Sequence, residues 1–190
     1  MKSTLILAAL ESEFYSDLES FGPVFYTGIG KINAARLTTE LILNKKPDYI
    51  LNVGTAGCLR EELFGKVIGV NEVIERDMLT EPLAPRGSVP LSNQNSSFFS
   101  EYGTVKCGTG DSFVSTKDEW LIENGIDLVD MELFAIAKVC SHYSVPWRSI
   151  KFASDMANGN SALQWRDSLK NSHIKISEEI EKVIEGIKQF

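Results

Sequence analysis

The chain has 190 residues, 43% of them hydrophobic and 24% charged, a balance that fits one globular domain with a sizeable core. With 19 basic and 26 acidic side chains the formal charge is −7 and there is no long basic run, which argues against a nucleic-acid backbone as partner and leaves small uncharged ligands open. The apolar run Leu5–Leu10 is too short to span a bilayer and leads into Glu11 and Glu13 without a cleavage region of signal type, so no membrane partner is expected.

In chain order, Ser3–Leu10 reads as a buried strand and Glu11–Ser20 as a helix with Phe14, Tyr15 and Leu18 inward. Val24–Thr27 is a short strand ending at Gly28, and a helix runs from Gly30 to about Asn44, before Pro47. Asp48–Val53 is an apolar strand broken by Gly54 and Gly57, and Gly65–Glu75 is strand material again. Arg76–Ser97, with three prolines, reads as a long surface loop. Gly103–Gly108 is a strand and Thr116–Asn124 a helix. Asp127–Cys140 is a short apolar strand running straight into an amphipathic helix, which Pro146 ends. Trp147–Ser154 is the last strand. Ser161–Gln189 carries the final helices, with Ile176, Ile180, Val183 and Ile187 spaced for one face. Strands alternating with helices predict an α/β class, 1–190 as a single domain, with a largely parallel sheet covered on both faces. Ligands of such sheets collect at the carboxyl ends of strands. Glu11–Glu13, Gly28–Gly30, Gly54–Gly57, Asp130–Glu132 and Ser154–Asp155 all follow a predicted strand.

Asp130 and Glu132 flank Met131 where strand becomes helix, and acids at the mouth of an apolar core are costly unless something uses them. Glu11 and Glu13 either complement a helix dipole or supply a general base or acid. Asp155 either caps the next helix or gives a proton to a leaving base. Thr27-Gly-Ile-Gly-Lys-Ile-Asn is neither a P-loop nor a dinucleotide fingerprint, because Phe25, Ile32 and Asn33 stand where those motifs need Gly, Ser or Thr, and Gly. Cys58, Cys107 and Cys140, odd in number and widely spaced, read as reduced thiols of a cytoplasmic protein. With only His142 and His173 and no paired spacing, no metal site is expected.

Thr27-Gly-Ile-Gly-Lys-Ile-Asn-Ala-Ala, Asn52-Val-Gly-Thr-Ala-Gly, Thr109-Gly-Asp-Ser-Phe-Val, Val129-Asp-Met-Glu and Ala153-Ser-Asp155 occur in an order that resembles the nucleoside phosphorylase/nucleosidase superfamily. Within it the chain is most similar to 5'-methylthioadenosine/S-adenosylhomocysteine nucleosidases. The resemblance implies a three-layer α/β/α fold with a central mixed, largely parallel sheet, a homodimer, no cofactor, and release of adenine from a nucleoside by hydrolysis. It assigns Glu13 to activation of water, Met131 and Glu132 to the ribose, and Asp155 to purine N7. It also places Phe113 and Val114 on the purine, Thr55 near the water where Ser is usual, and Lys151 where Arg is usual. N-glycosidic cleavage builds positive charge on the sugar and negative charge on the base, which suits acids in these three places. A phosphorylase, a hydrolase of another nucleoside such as futalosine, and a non-catalytic nucleoside-binding module are the alternatives. Little separates the first helix from Thr27, and Arg76-Asp-Met-Leu-Thr-Glu-Pro departs from the usual nucleosidase loop.

Overall fold

Alternate residues of the first strand meet different helices. In β1 (Thr4–Ala8), Leu5 and Leu7 join a cluster with Ala34, Leu41 and Ile42 of α1 (Lys31–Lys45) and with Leu133 and Ile136 of α3 (Leu133–His142). Ile6 and Ala8 join a second cluster with Ile176, Ile180, Val183 and Ile187 of α4 (Ser161–Lys188). Successive strand side chains point to opposite faces, so helices cover both. Burying each of these isoleucines contributes about 1.5–3 kcal/mol. The computed structural model describes residues 3–13, 18–116 and 118–188.

The remaining strands are β2 (Val24–Tyr26), β3 (Tyr49–Cys58), β4 (Val67–Glu75), β5 (Ser97–Phe99), β6 (Val105–Thr109), β7 (Leu128–Asp130) and β8 (Trp147–Asp155). They form one mixed sheet in the order β2-β1-β3-β7-β6-β4-β5, with β8 bridging β3 and β4. The pairings β3–β7–β6–β4–β8–β3 close a ring. Pairs β1–β2, β1–β3, β3–β8, β4–β6 and β6–β7 are parallel, and β3–β7, β4–β5 and β4–β8 antiparallel.

Several elements differ from the sequence expectation. Gly54 and Gly57 do not break β3, which continues to Cys58. They serve close approach: a Cβ at Gly54 would sit 3.6 Å from Lys151 Nζ, and one at Gly57 only 2.9 Å from Asp155 Oδ1. In place of a helix over Glu11–Ser20 there are 3-10 turns at Glu11–Glu13 and Leu18–Phe21; Leu18 is buried, and Phe14 and Tyr15 lie outside the described residues. The final segment is one helix of 28 residues; Gln189 lies outside the described residues. The helix expected over Thr116–Asn124 shortens to α2 (Glu119–Glu123), capped by the Asp118 carboxylate, which accepts from Trp120 N. The long loop after β4 has an internal anchor: Arg86 donates to both carboxylate oxygens of Asp118 (3.1 and 2.6 Å) and to the Arg76 carbonyl, and stacks on Trp120.

Candidate active site

A cavity of about 230 Å³ opens beyond the ends of β1, β3, β7 and β8. Glu13, Thr55, Phe113, Val114, Met131, Glu132 and Asp155 all line it. Lys151 does not; it stands behind the wall. The acids arrive from separate elements, Glu13 after β1, Glu132 after β7 and Asp155 at the end of β8, and all three are buried.

Both oxygens of Glu13 are held. Leu10 N donates to Oε2 at 3.2 Å, and the Thr55 hydroxyl donates to Oε1 at 2.5 Å. Thr55 Oγ1 in turn accepts from the Trp165 indole nitrogen at 3.0 Å. These groups come from the turn after β1, from β3 and from α4, so the position of Glu13 is set by three elements.

Asp130 and Glu132, two residues apart, have different tasks. Asp130 accepts from the Thr109 hydroxyl (2.5 Å) and from Leu133 N (2.9 Å), which caps α3, and pairs with Lys151 Nζ at 2.8 Å. Burial alone would raise the Asp130 carboxyl; the Lys151 ammonium and these hydrogen bonds outweigh it and hold the group below the usual carboxylate range. Burial likewise works against the Lys151 ammonium, but the charges of Asp130 and Glu132 push it up to about 12. Glu132 accepts from Gly30 N at 2.9 Å, at the start of α1. Burial, then the neighbouring Asp130 charge, push it up to about 7.

Two consequences can be measured. Lys151→Met leaves Asp130 buried without its cation, and a loss of about 3–5 kcal/mol of unfolding free energy is expected. An unchanged urea midpoint would show that the pair contributes nothing. Glu132 stands near 7 in the folded chain against an ordinary value of 4.5, so the folded chain holds the extra proton between those limits. This contribution to stability is therefore greatest at low pH and is lost as pH rises through that window. Glu132→Gln should flatten that part of the pH–Tm curve; identical slopes for the two proteins would refute the assignment.

Asp155 accepts from Ala157 N and from the Ser154 hydroxyl, both at 3.0 Å. The β3–β8 register slips here: Ala153 faces Ala56 but Asp155 faces Gly57, so β8 spends one extra residue, Ser154. The slip presents Asp155 to the cavity, and Gly57 leaves room for its carboxylate. Phe113 stands half exposed at the mouth, and Val114 packs toward Val129 and Ala157.

Sequence reasoning did not single out Arg76, Ser112 or Trp165, all of which line the cavity. Arg76 organises the loop that carries Phe113, donating to the carbonyls of Gly108, Gly110 and Ser112 and to the Ser112 hydroxyl. Among the described lining residues Arg76 is the only cation, and four of its five N–H groups donate to the loop. Burial pushes the thiols of Cys58 and Cys140 up, to about 11 and about 12, so neither is a ready nucleophile. No cluster among the described residues can hold a metal.

A mixed sheet thus presents three acids at strand ends to one cavity, whose described lining holds a single cation, Arg76. The profile of the phosphorylase superfamily matches residues 23–188. A 5'-methylthioadenosine/S-adenosylhomocysteine nucleosidase of Staphylococcus aureus strain JH9 is 32% identical over 90% of this chain and 86% of its own length. The chain belongs to the phosphorylase superfamily, and within it to the 5'-methylthioadenosine/S-adenosylhomocysteine nucleosidase family. A Helicobacter pylori nucleosidase mutant with 5'-methylthioadenosine in its active site shares the fold at TM-score 0.88, with 21% identity and 100% of both chains covered. A mutant futalosine hydrolase from the same organism does so at 0.86, with 21% identity and the same coverage.

Proposed function

We propose that the chain hydrolyses the N-glycosidic bond of an adenine nucleoside such as 5'-methylthioadenosine or S-adenosylhomocysteine and releases adenine. The observation that carries this is the convergence of Glu13, Glu132 and Asp155 from three strand ends on one cavity. Glu13, fixed by Leu10 N and Thr55, orients a water and takes its proton. Glu132 accepts from ribose hydroxyls and stabilises the cationic sugar, with Met131 packed on the ring. Asp155 gives a proton or a hydrogen bond to N7 of the departing purine, which Phe113 and Val114 flank. Lys151 acts on the substrate through Asp130, which sets the turn that carries Glu132. General acid–base steps of this kind contribute about 10²–10⁴-fold each.

Water rather than phosphate is favoured because the described lining is acidic and Arg76 is already bonded. Purified protein is incubated with methylthioadenosine, S-adenosylhomocysteine, adenosine, inosine and futalosine, with and without phosphate, and free base is assayed. Adenine release without phosphate is expected. Phosphate-dependent release with ribose 1-phosphate would make it a phosphorylase, and no release at all would sink the enzymatic reading. Futalosine belongs in the panel because a futalosine hydrolase is as similar in fold as the nucleosidases.

The same reading takes residues 1–190 as one domain of three layers, α/β/α, in a cytoplasmic homodimer without a cofactor. Helices on both faces of the sheet support the layering, and no described helix is long and apolar enough to cross a membrane. The exposed Leu79, Leu83 and Leu91 of the loop after β4 support a partner surface.

A further inference from the structure

We infer that Trp165 is a positioning residue, whose indole N–H fixes the Thr55 hydroxyl so that its single proton is committed to Glu13. The inference rests on the reading of Glu13 as the water-activating group.

The three groups form one hydrogen-bonded line, from Trp165 Nε1 to Thr55 Oγ1 (3.0 Å) and from Thr55 Oγ1 to Glu13 Oε1 (2.5 Å). The direction of the line follows from the inventory of each group. An indole nitrogen only donates, and a hydroxyl has one proton and two lone pairs. With the indole proton on its oxygen, Thr55 is left to donate, and the acceptor within reach is Glu13. The second oxygen of Glu13 takes the Leu10 amide proton at 3.2 Å. Both carboxylate oxygens therefore accept fixed protons, and all three side chains line the cavity. Thr55 is β-branched and sits within β3, so its χ1 is restricted as well.

A bicyclic ring without a donor would wall the cavity as well as the indole. Only the N–H distinguishes the two, so the positioning role belongs to that proton. Without it, the Thr55 hydroxyl can rotate away, and Glu13 loses the fixed aim that a water-activating group needs. The loss belongs to the chemical step rather than to substrate binding.

The test is a double-mutant cycle on steady-state hydrolysis, with Trp165→Phe and Thr55→Val made singly and together. Trp165→Phe is expected to lower kcat about 3- to 10-fold with KM changed less than about twofold. In the Thr55→Val background it should cost nothing further, because the intermediary is gone. Benzothienylalanine at position 165 keeps the bicyclic shape without the N–H and should reproduce the Phe result, which covers a failure of Trp165→Phe to fold. Equal losses in both backgrounds, or a change confined to KM, would reduce Trp165 to a wall and overturn the inference. Glu13→Gln separates the two readings. If it is inactive while Trp165→Phe matches wild type, only the role of Trp165 falls. If it is fully active, the role of Glu13 falls, and that of Trp165 with it.

Discussion

Glu13→Gln is expected to lower kcat by about 10²–10⁴-fold while leaving nucleoside binding nearly intact. Gln has the same size, and its carbonyl oxygen can still accept from Thr55 or from Leu10 N. What it cannot do is take a proton from water. The loss amounts to about 3–5 kcal/mol of transition-state stabilisation. Calorimetric titration with a methylthioadenosine analogue checks binding, and adenine release checks turnover. Activity within about tenfold of wild type would move the base elsewhere in the cavity.

Asp155→Asn is expected to fail in a different way. The substitution fits: the Asn oxygen can accept from Ala157 N as Asp155 Oδ1 does. The Ser154 hydroxyl, which also lies 3.2 Å from the Ala56 carbonyl, can then donate there and accept from the new amide. Structure is thus retained while the protonating group is lost. For an adenine nucleoside the fall in kcat should again be about 10²–10⁴-fold. A nitrophenyl riboside, whose leaving group departs without a proton, should be cleaved by this variant at nearly the wild-type rate. Glu13→Gln should impair both substrates. If Asp155→Asn slows both equally, Asp155 acts on the sugar or the architecture and not on the base.

The residues that the sequence made legible are those that violate a pattern. Acids ending apolar strands are conspicuous, and Glu13, Glu132 and Asp155 all line one cavity. The spacing of Ile176, Ile180, Val183 and Ile187 is legible for the opposite reason: it keeps a single helical period, which predicts one buried face, and all four are buried. Trp165 and Arg76 carry no such signal. Trp165 lies in a polar stretch of α4 and becomes informative only when folding brings it beside a hydroxyl 110 residues away in sequence. Arg76 opens what looks like a solvated loop, and its burial depends on carbonyls of Gly108, Gly110 and Ser112 that no local pattern discloses. Gly54 and Gly57 mislead locally, because a glycine that ends a strand and one that admits a neighbour's side chain look the same in sequence. Lys151 is legible as a cation at the site, but only the fold reveals that Asp130 stands between it and the cavity.

The continuity of β3 past its glycines sets a gauge for the chemistry. Thr55, which holds the acid on the water side, and Gly57, which makes room for the acid on the base side, are two residues apart on one extended strand. Their separation is therefore one strand repeat, about 6.5–7 Å, measured along covalent bonds rather than across flexible turns. A deletion of one residue between them would turn one of the two stations to the far face of the sheet. One stretch of backbone thus rules the spacing of the two contacts that the acids make on β3, while the turn after β1 and the slip in β8 bring the acids to them.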